Sequence, residues 1–186
     1  MLKLIPVASF LRRGILVESQ SLISQLIQAV INDRAEACRL LQAHPELFTT
    51  SWDLGQNALH FLTLEGTPSD VEFLLHQGFD PERRNDFGDT PLLDACVLGN
   101  TETAKVLLAY GADPNVGSEV RFNAIHCCVY DGNADLIDAL ISAGADPVYT
   151  TPFGETIFDQ WPDCPKQQQA MKELVRQHQI ERPEPK

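Results

Sequence analysis

Five cysteines and five histidines are the side chains of this 186-residue chain best suited to bind a metal or attack a substrate. Their densest grouping is His126-Cys127-Cys128. Zinc takes nitrogen and sulfur ligands in a tetrahedron, and adjacent residues of a helix point in different directions, so three in a row cannot converge on one ion. His60 and His126 would need an oriented nucleophile or carboxylate to act as general bases. No Gly-x-Ser-x-Gly, His-Glu-x-x-His, paired-carboxylate or glycine-rich phosphate-loop pattern accompanies them. The sequence assigns no catalytic residue, no metal site and no cofactor. Cys38, Cys96, Cys127, Cys128 and Cys164 are odd in number and lack framework spacing, which fits reduced thiols in a cytoplasmic setting.

Composition narrows the partners. Apolar residues make up 44% of the chain, enough for a substantial core. A net charge of −12 repels phosphate backbones and excludes nucleic acid as the expected partner, while favouring a protein with a basic surface. No run approaches the ~18 apolar residues of a membrane span. Residues 1–17 differ, carrying Lys3, Arg12 and Arg13 and no acid. Pro6 and the paired arginines make this a poor signal peptide. Two roles remain, membrane contact or the covering of one end of the fold by Leu2, Leu4, Ile5, Phe10 and Leu11; the second is the simpler.

The elements that hold these residues come from a repeat. Gly78, Gly111 and Gly144 are spaced by 33, and each stands two residues before an Asp-Pro pair. Gly66, Gly99 and Gly132 keep the same period, as do Leu59, Leu92 and Ile125, and the pairs Leu74-Leu75, Leu107-Leu108 and Leu140-Ile141. Each copy reads as two short helices and a turn. Pro91 suits the first turn of a helix, and Gly99 ends that helix in a left-handed conformation. From Thr101 a second helix follows, with Ala104, Leu107 and Leu108 on one face. Asp-Pro and Asn-Asp-Phe-Gly then reverse the chain.

Gly88-Asp89-Thr90-Pro91-Leu92-Leu93-Asp94-Ala95 resembles the ankyrin motif G-x-T-P-L-H-x-A, and Gly111-Ala112-Asp113-Pro114-Asn115 resembles its G-A-D-x-N ending. Asn57-Ala58-Leu59-His60 and Asn123-Ala124-Ile125-His126 match more loosely, with Asn for Thr and Ala for Pro. The resemblance covers about 22–178 and implies an all-α solenoid of about five helix-turn-helix repeats joined by hairpin loops. The expected division is an extension at 1–19, a capping repeat at 20–52, repeats at 53–84, 85–117 and 118–150, a C-terminal cap at 151–179, and a tail at 180–186. SLISQLIQAVIND and RAEACRLLQAHPEL are expected to be the two helices of the first cap. A helix near 166–178 closes the last, shifted by a one-residue insertion. The family resemblance also implies that His60 and His126 hydrogen-bond the turn opening their own repeats, and that the function is protein binding on the concave face.

The positions that in ankyrin proteins project onto that face carry a pattern. Leu54, Phe87, Val120 and Phe153 are one period apart, preceded by Asp53, Asp86 and Glu119. Asp89, Phe122 and Glu155 follow the loop glycine or its equivalent, and Glu65, Leu98, Tyr130 and Asp131 stand at first-helix ends. Trp52 extends the row at one rim. An aromatic and apolar stripe edged by carboxylates suits a protein partner, with Phe87, Phe122 and Tyr130 as anchors. Glu102 and Asp138 are placed on the opposite side.

Overall fold

The computed structural model describes residues 22–118, 123–151, 155–159 and 164–181, and of Asp53, Tyr130 and Asp131 the backbone alone. Nine helices form among them: α1 (Leu22–Asn32), α2 (Arg34–Ala43), α3 (Ala58–Glu65), α4 (Pro68–Gln77), α5 (Pro91–Val97), α6 (Thr101–Ala109), α7 (Ala124–Asp131), α8 (Ala134–Ser142) and α9 (Pro165–Gln177). They stack as antiparallel pairs. The inner row runs α1, α3, α5, α7, each packing on the next; α4, α6, α8 and α9 form the outer row. The fold is an all-α repeat.

Local chemistry explains where several of the helices start. Asn57, Thr90 and Asn123 occupy one column and cap α3, α5 and α7, their side-chain oxygens accepting from the N–H of His60 (3.0 Å), Leu93 (3.4 Å) and His126 (3.3 Å). Asparagine thus serves where the motif has threonine, as expected of two good N-cap residues. Thr67 and Asp70 form a reciprocal capping box on α4. The outer helices stop by a shared device. Gly78, Gly111 and Gly144 take φ of 101°, 88° and 99°. The next residue then donates its N–H back to the carbonyl of Leu74 (3.2 Å), Leu107 (3.1 Å) or Leu140 (2.9 Å), the six-to-one bond of a Schellman ending. In α9 Gln179 takes this place at φ 53°, with Ile180 donating to Val175 at 3.0 Å.

The core is a continuous row of columns. Leu59, Leu92 and Ile125 are buried, as are Leu74, Leu107 and Leu140. Met171 and Leu174 are buried 34 residues after Ile137 and Leu140, so α9 packs one residue late. The caps depart from the expected reading in two places. The second helix ends at Ala43, because a residue preceding proline is pushed out of the helical region, and His44 sits at φ −132° before Pro45. A 3-10 turn at Pro45–Phe48 follows and inserts Leu47 into the core. In the last repeat, residues 157–159 form a turn, pinned by bonds from the Thr156 N–H (2.8 Å) and hydroxyl (2.7 Å) to Asp159 Oδ2.

A polar ladder joins the loops between repeats. Asp80, Asp113 and Asp146 each accept the N–H two residues on, at 2.9 Å. Glu82 accepts from the N–H of Asp113 (2.9 Å) and Asn115 from that of Asp146 (2.8 Å), so each loop holds the next repeat's Asp-Pro turn. Val148 fills the same column in the following copy and is exposed instead. The five cysteines are free thiols, Cys96 and Cys128 in the core columns.

Candidate protein-binding surface

The hairpins between repeats set the geometry of the inner face. Trp52 donates its N–H to Gln56 O (2.9 Å), Asn85 to Asp89 O (3.0 Å) and Thr151 to Glu155 O (2.8 Å). These residues keep the 33-residue period, and between them in the sequence Gly117 forms an antiparallel bridge with Asn123. Neighbouring hairpins are stitched together. Asp86 donates its N–H to Leu54 O at 3.0 Å, and Arg84 reaches Gly88 O (2.7 Å) and Gly117 O (2.9 Å).

On this frame Leu54 and Phe87 are 45% and 43% exposed, large apolar side chains one period apart. Leu54 sits in the left-handed region at φ 60° and ψ 23°, where a side chain costs about 1–2 kcal/mol. Gly55 follows at φ 70°; a Cβ there would run into the Asp86 side chain and stand 2.7 Å from its backbone nitrogen. The close approach of Asp86 therefore requires glycine at 55. Phe87 is steadied by its N–H, which donates to Asn85 Oδ1 at 2.9 Å.

Trp52 is half-buried with its ring 5.8 Å from that of Phe61, an inward-facing aromatic that motif reading passed over. The signal was an aromatic residue beside the histidine column. Val97, at the end of α5, is 36% exposed beside half-buried Leu98. Glu65 and Asp86 are exposed, and Glu155 is half-buried. Glu119, Val120, Phe122 and Phe153 lie outside the described residues, as do the side chains of Asp53, Tyr130 and Asp131.

Asp89 departs from the expected rim. It is 1% exposed, because the residue after Gly88 turns inward, its N–H bonding Asn85 Oδ1 at 3.0 Å. Asp138 differs too: His178 Nε2 stands 2.6 Å from its Oδ1 and Gln177 donates to the same oxygen. Glu102, exposed and bonded by Lys105 at 2.8 Å, is the better opposite-side reference.

His60 joins two repeats. Nδ1 lies 2.8 Å from Asn57 Oδ1 at the start of its own repeat, and Nε2 lies 3.2 Å from Asp89 O in the next hairpin. The forward link was absent from the expected reading. His126 repeats the first contact, 2.8 Å from Asn123 Oδ1. Leu93 fills the same column in the copy between them, fully buried. Burial pushes the pKa of both imidazoles down, opposed at His60 by the Asp89 carbonyl and at His126 by Glu155. The unfolded chain then binds protons first as pH falls, so this contribution to stability is full above about pH 6.5 and is lost below it. Urea midpoints at pH 7.5 and 5.5 should show the loss, and His60→Leu with His126→Leu should flatten it.

Among the described residues no three His, Cys, Asp or Glu side chains group as metal ligands, and no helix is long and apolar enough to cross a membrane. The family model for ankyrin repeats, in three copies, matches residues 59–151. The chain belongs to the ankyrin-repeat family. It is 30% identical over 135 residues to a transient receptor potential cation channel subfamily A member 1 homologue of Caenorhabditis elegans, spanning 72% of this chain and 11% of that protein. Human NF-kappa-B inhibitor alpha is 28% identical over 144 residues, 74% of this chain and 42% of that protein. The Arabidopsis thaliana E3 ubiquitin-protein ligase KEG is 36% identical over 111 residues, 55% of this chain and 6% of that protein. The chain thus spans less than half the length of each. An ankyrin array is a protein-interaction module, generally without enzymatic activity of its own.

Proposed function

We propose that this ankyrin array binds a protein with a basic surface through its hairpin and first-helix face, and that binding masks the partner. The observation that carries the reading is the pair Leu54 and Phe87, exposed in phase on hairpins locked by a backbone hydrogen bond, with Leu54 held in a conformation that leucine disfavours. Strain of this kind persists at ligand clamps. Asp86 lies between the two in the register, and the net charge of −12 selects a basic surface by complementarity. The masking role rests on analogy, drawn from the name of the human NF-kappa-B inhibitor among the relatives. A nuclease or toxin domain, silenced in the cytoplasm by an immunity-type protein, is the kind of basic partner meant. An adaptor that binds without silencing is the second reading, favoured by the small share of the channel and ligase relatives, 11% and 6%, that this chain matches.

The test starts from a partner captured from the native lysate. Asp86→Asn should slow association and flatten its salt dependence while leaving stability nearly unchanged, as rim charges do. Glu102→Gln should change neither. Surface plasmon resonance at two salt concentrations measures both; sensitivity at Glu102 with none at Asp86 would place the partner elsewhere. An activity assay of the partner then separates masking from adaptation.

A further inference from the structure

Residues 1–17 carry the chemistry that the hairpin face asks of a partner. They hold Lys3, Arg12 and Arg13 and no acid, which leaves 11 basic against 26 acidic residues in the rest of the chain. The arginine pair stands between two apolar runs, Phe10-Leu11 on one side and Ile15-Leu16-Val17 on the other. The hairpins present the complement. Leu54 and Phe87 are exposed one period apart, and the exposed Asp86 adjoins both, bonded to the Leu54 carbonyl through its N–H and next to Phe87 in the chain. Residues 1–21 lie outside the described residues, yet the point at which the chain enters the array is fixed. Leu22 opens α1, its side chain partly buried against the core. The buried column of Leu26, Leu59 and Leu92 aligns α1 with α3 and α5. The N-terminal end of α1 therefore lies at the end of the inner row where the hairpins 52–56 and 85–89 stand. Packed helices lie roughly 8–10 Å apart, which puts the second hairpin about 16–20 Å along the row. The stretch from Arg13 to Leu22 spans about 30 Å when extended. The arginine pair reaches Asp86.

We propose that residues 1–17 occupy the hairpin face of their own chain, with Arg12 and Arg13 at Asp86 and the flanking apolar runs on Leu54 and Phe87. The segment is an internal stand-in that a basic partner must displace. The inference rests on the binding face proposed above and adds its regulation. Opposite charge brings segment and face together, and the matched order of apolar and charged groups sets the register. The tether supplies the segment at roughly millimolar effective concentration, so a weak contact suffices to keep the face covered. Apparent affinity for a partner then falls with the fraction of molecules left uncovered.

The experiment uses the full chain throughout. Arg12→Lys keeps the charge and supplies an amine, which a zero-length carbodiimide reagent should couple to Asp86. Peptide mass spectrometry of the monomer, treated at high dilution, should find that link, and Asp86→Asn in the same chain should abolish it. Coupling of position 12 only to outer-face acids such as Glu102, or to none, overturns the proposal. A fluorescein-labelled peptide of residues 1–17, followed by anisotropy, reads the same contact in competition. It should bind Arg12→Glu/Arg13→Glu about tenfold or more tightly than the wild type, whose own segment holds the face. Adding Phe87→Ala to that variant should weaken the peptide again. Equal affinity for the wild type and Arg12→Glu/Arg13→Glu overturns the proposal, as does a peptide that binds neither. If the captured partner leaves Phe87→Ala faster while the peptide tells the two chains apart in no way, the binding face stands and this assignment alone falls. If Phe87→Ala changes neither partner nor peptide, both fall.

Discussion

Leu107→Ala and Leu140→Ala should each remove about 2–5 kcal/mol of folding stability, the range for truncating a fully buried leucine. Both side chains are fully buried, and both lie on outer helices packed between two neighbours, α6 between α4 and α8, and α8 between α6 and α9. A cavity there costs the lost transfer energy and also weakens two interfaces, because a solenoid holds together by nearest-neighbour contacts. The backbone device at these positions survives, since the carbonyls of Leu107 and Leu140 still accept the six-to-one bond. The loss therefore reports packing alone. Glu102→Ala, on the exposed face of α6, should stay within about 0.5 kcal/mol. Urea melts followed by circular dichroism measure all three, and leucine variants as neutral as Glu102→Ala would contradict the stacking.

Phe87→Ala should weaken the partner by about 2 kcal/mol or more, roughly thirtyfold, and mainly by faster dissociation. Phe87 places a large ring on a hairpin fixed at Asn85, at Leu54 through Asp86, and at Gly117 through Arg84. Little ordering is then required on binding, the condition under which an aromatic anchor contributes most. Leu54 allows a sharper comparison. Leu54→Gly removes the left-handed strain and should leave the free protein as stable or more so, while still weakening the partner. A loss of stability together with affinity would mean that Leu54 serves the fold. Interaction kinetics beside urea melts separate the cases.

Much of this fold was legible in the 33-residue columns, because the residues that carry them have physical jobs the structure retains. The left-handed glycines 78, 111 and 144 end helices, and the leucine columns are the core. The asparagines replacing threonine still cap. Departures came where a single residue outweighed the period. Pro45 stopped α2, and Thr156 with Asp159 made a turn at the start of the last repeat. The surface was less legible, for a different reason. A column gives a residue's place in the repeat and leaves its burial to the particular hairpin. Phe87 and Asp89 belong to one loop, yet Phe87 faces solvent and Asp89 is enclosed, because the Asn85 side chain draws the Asp89 N–H inward. The cross-repeat reach of His60 to Asp89 O was likewise invisible, since it joins residues from two copies whose stacking distance no motif encodes.

Hydrogen–deuterium exchange on the array with and without its captured partner tests the binding face most directly. Protection on binding should concentrate in the 52–56 and 85–89 hairpins and at the ends of α3 and α5. The outer helices α4, α6 and α8 should exchange as in the free protein. Protection confined to those outer helices, with both hairpins unchanged, would contradict the assignment of the inner face as the binding surface.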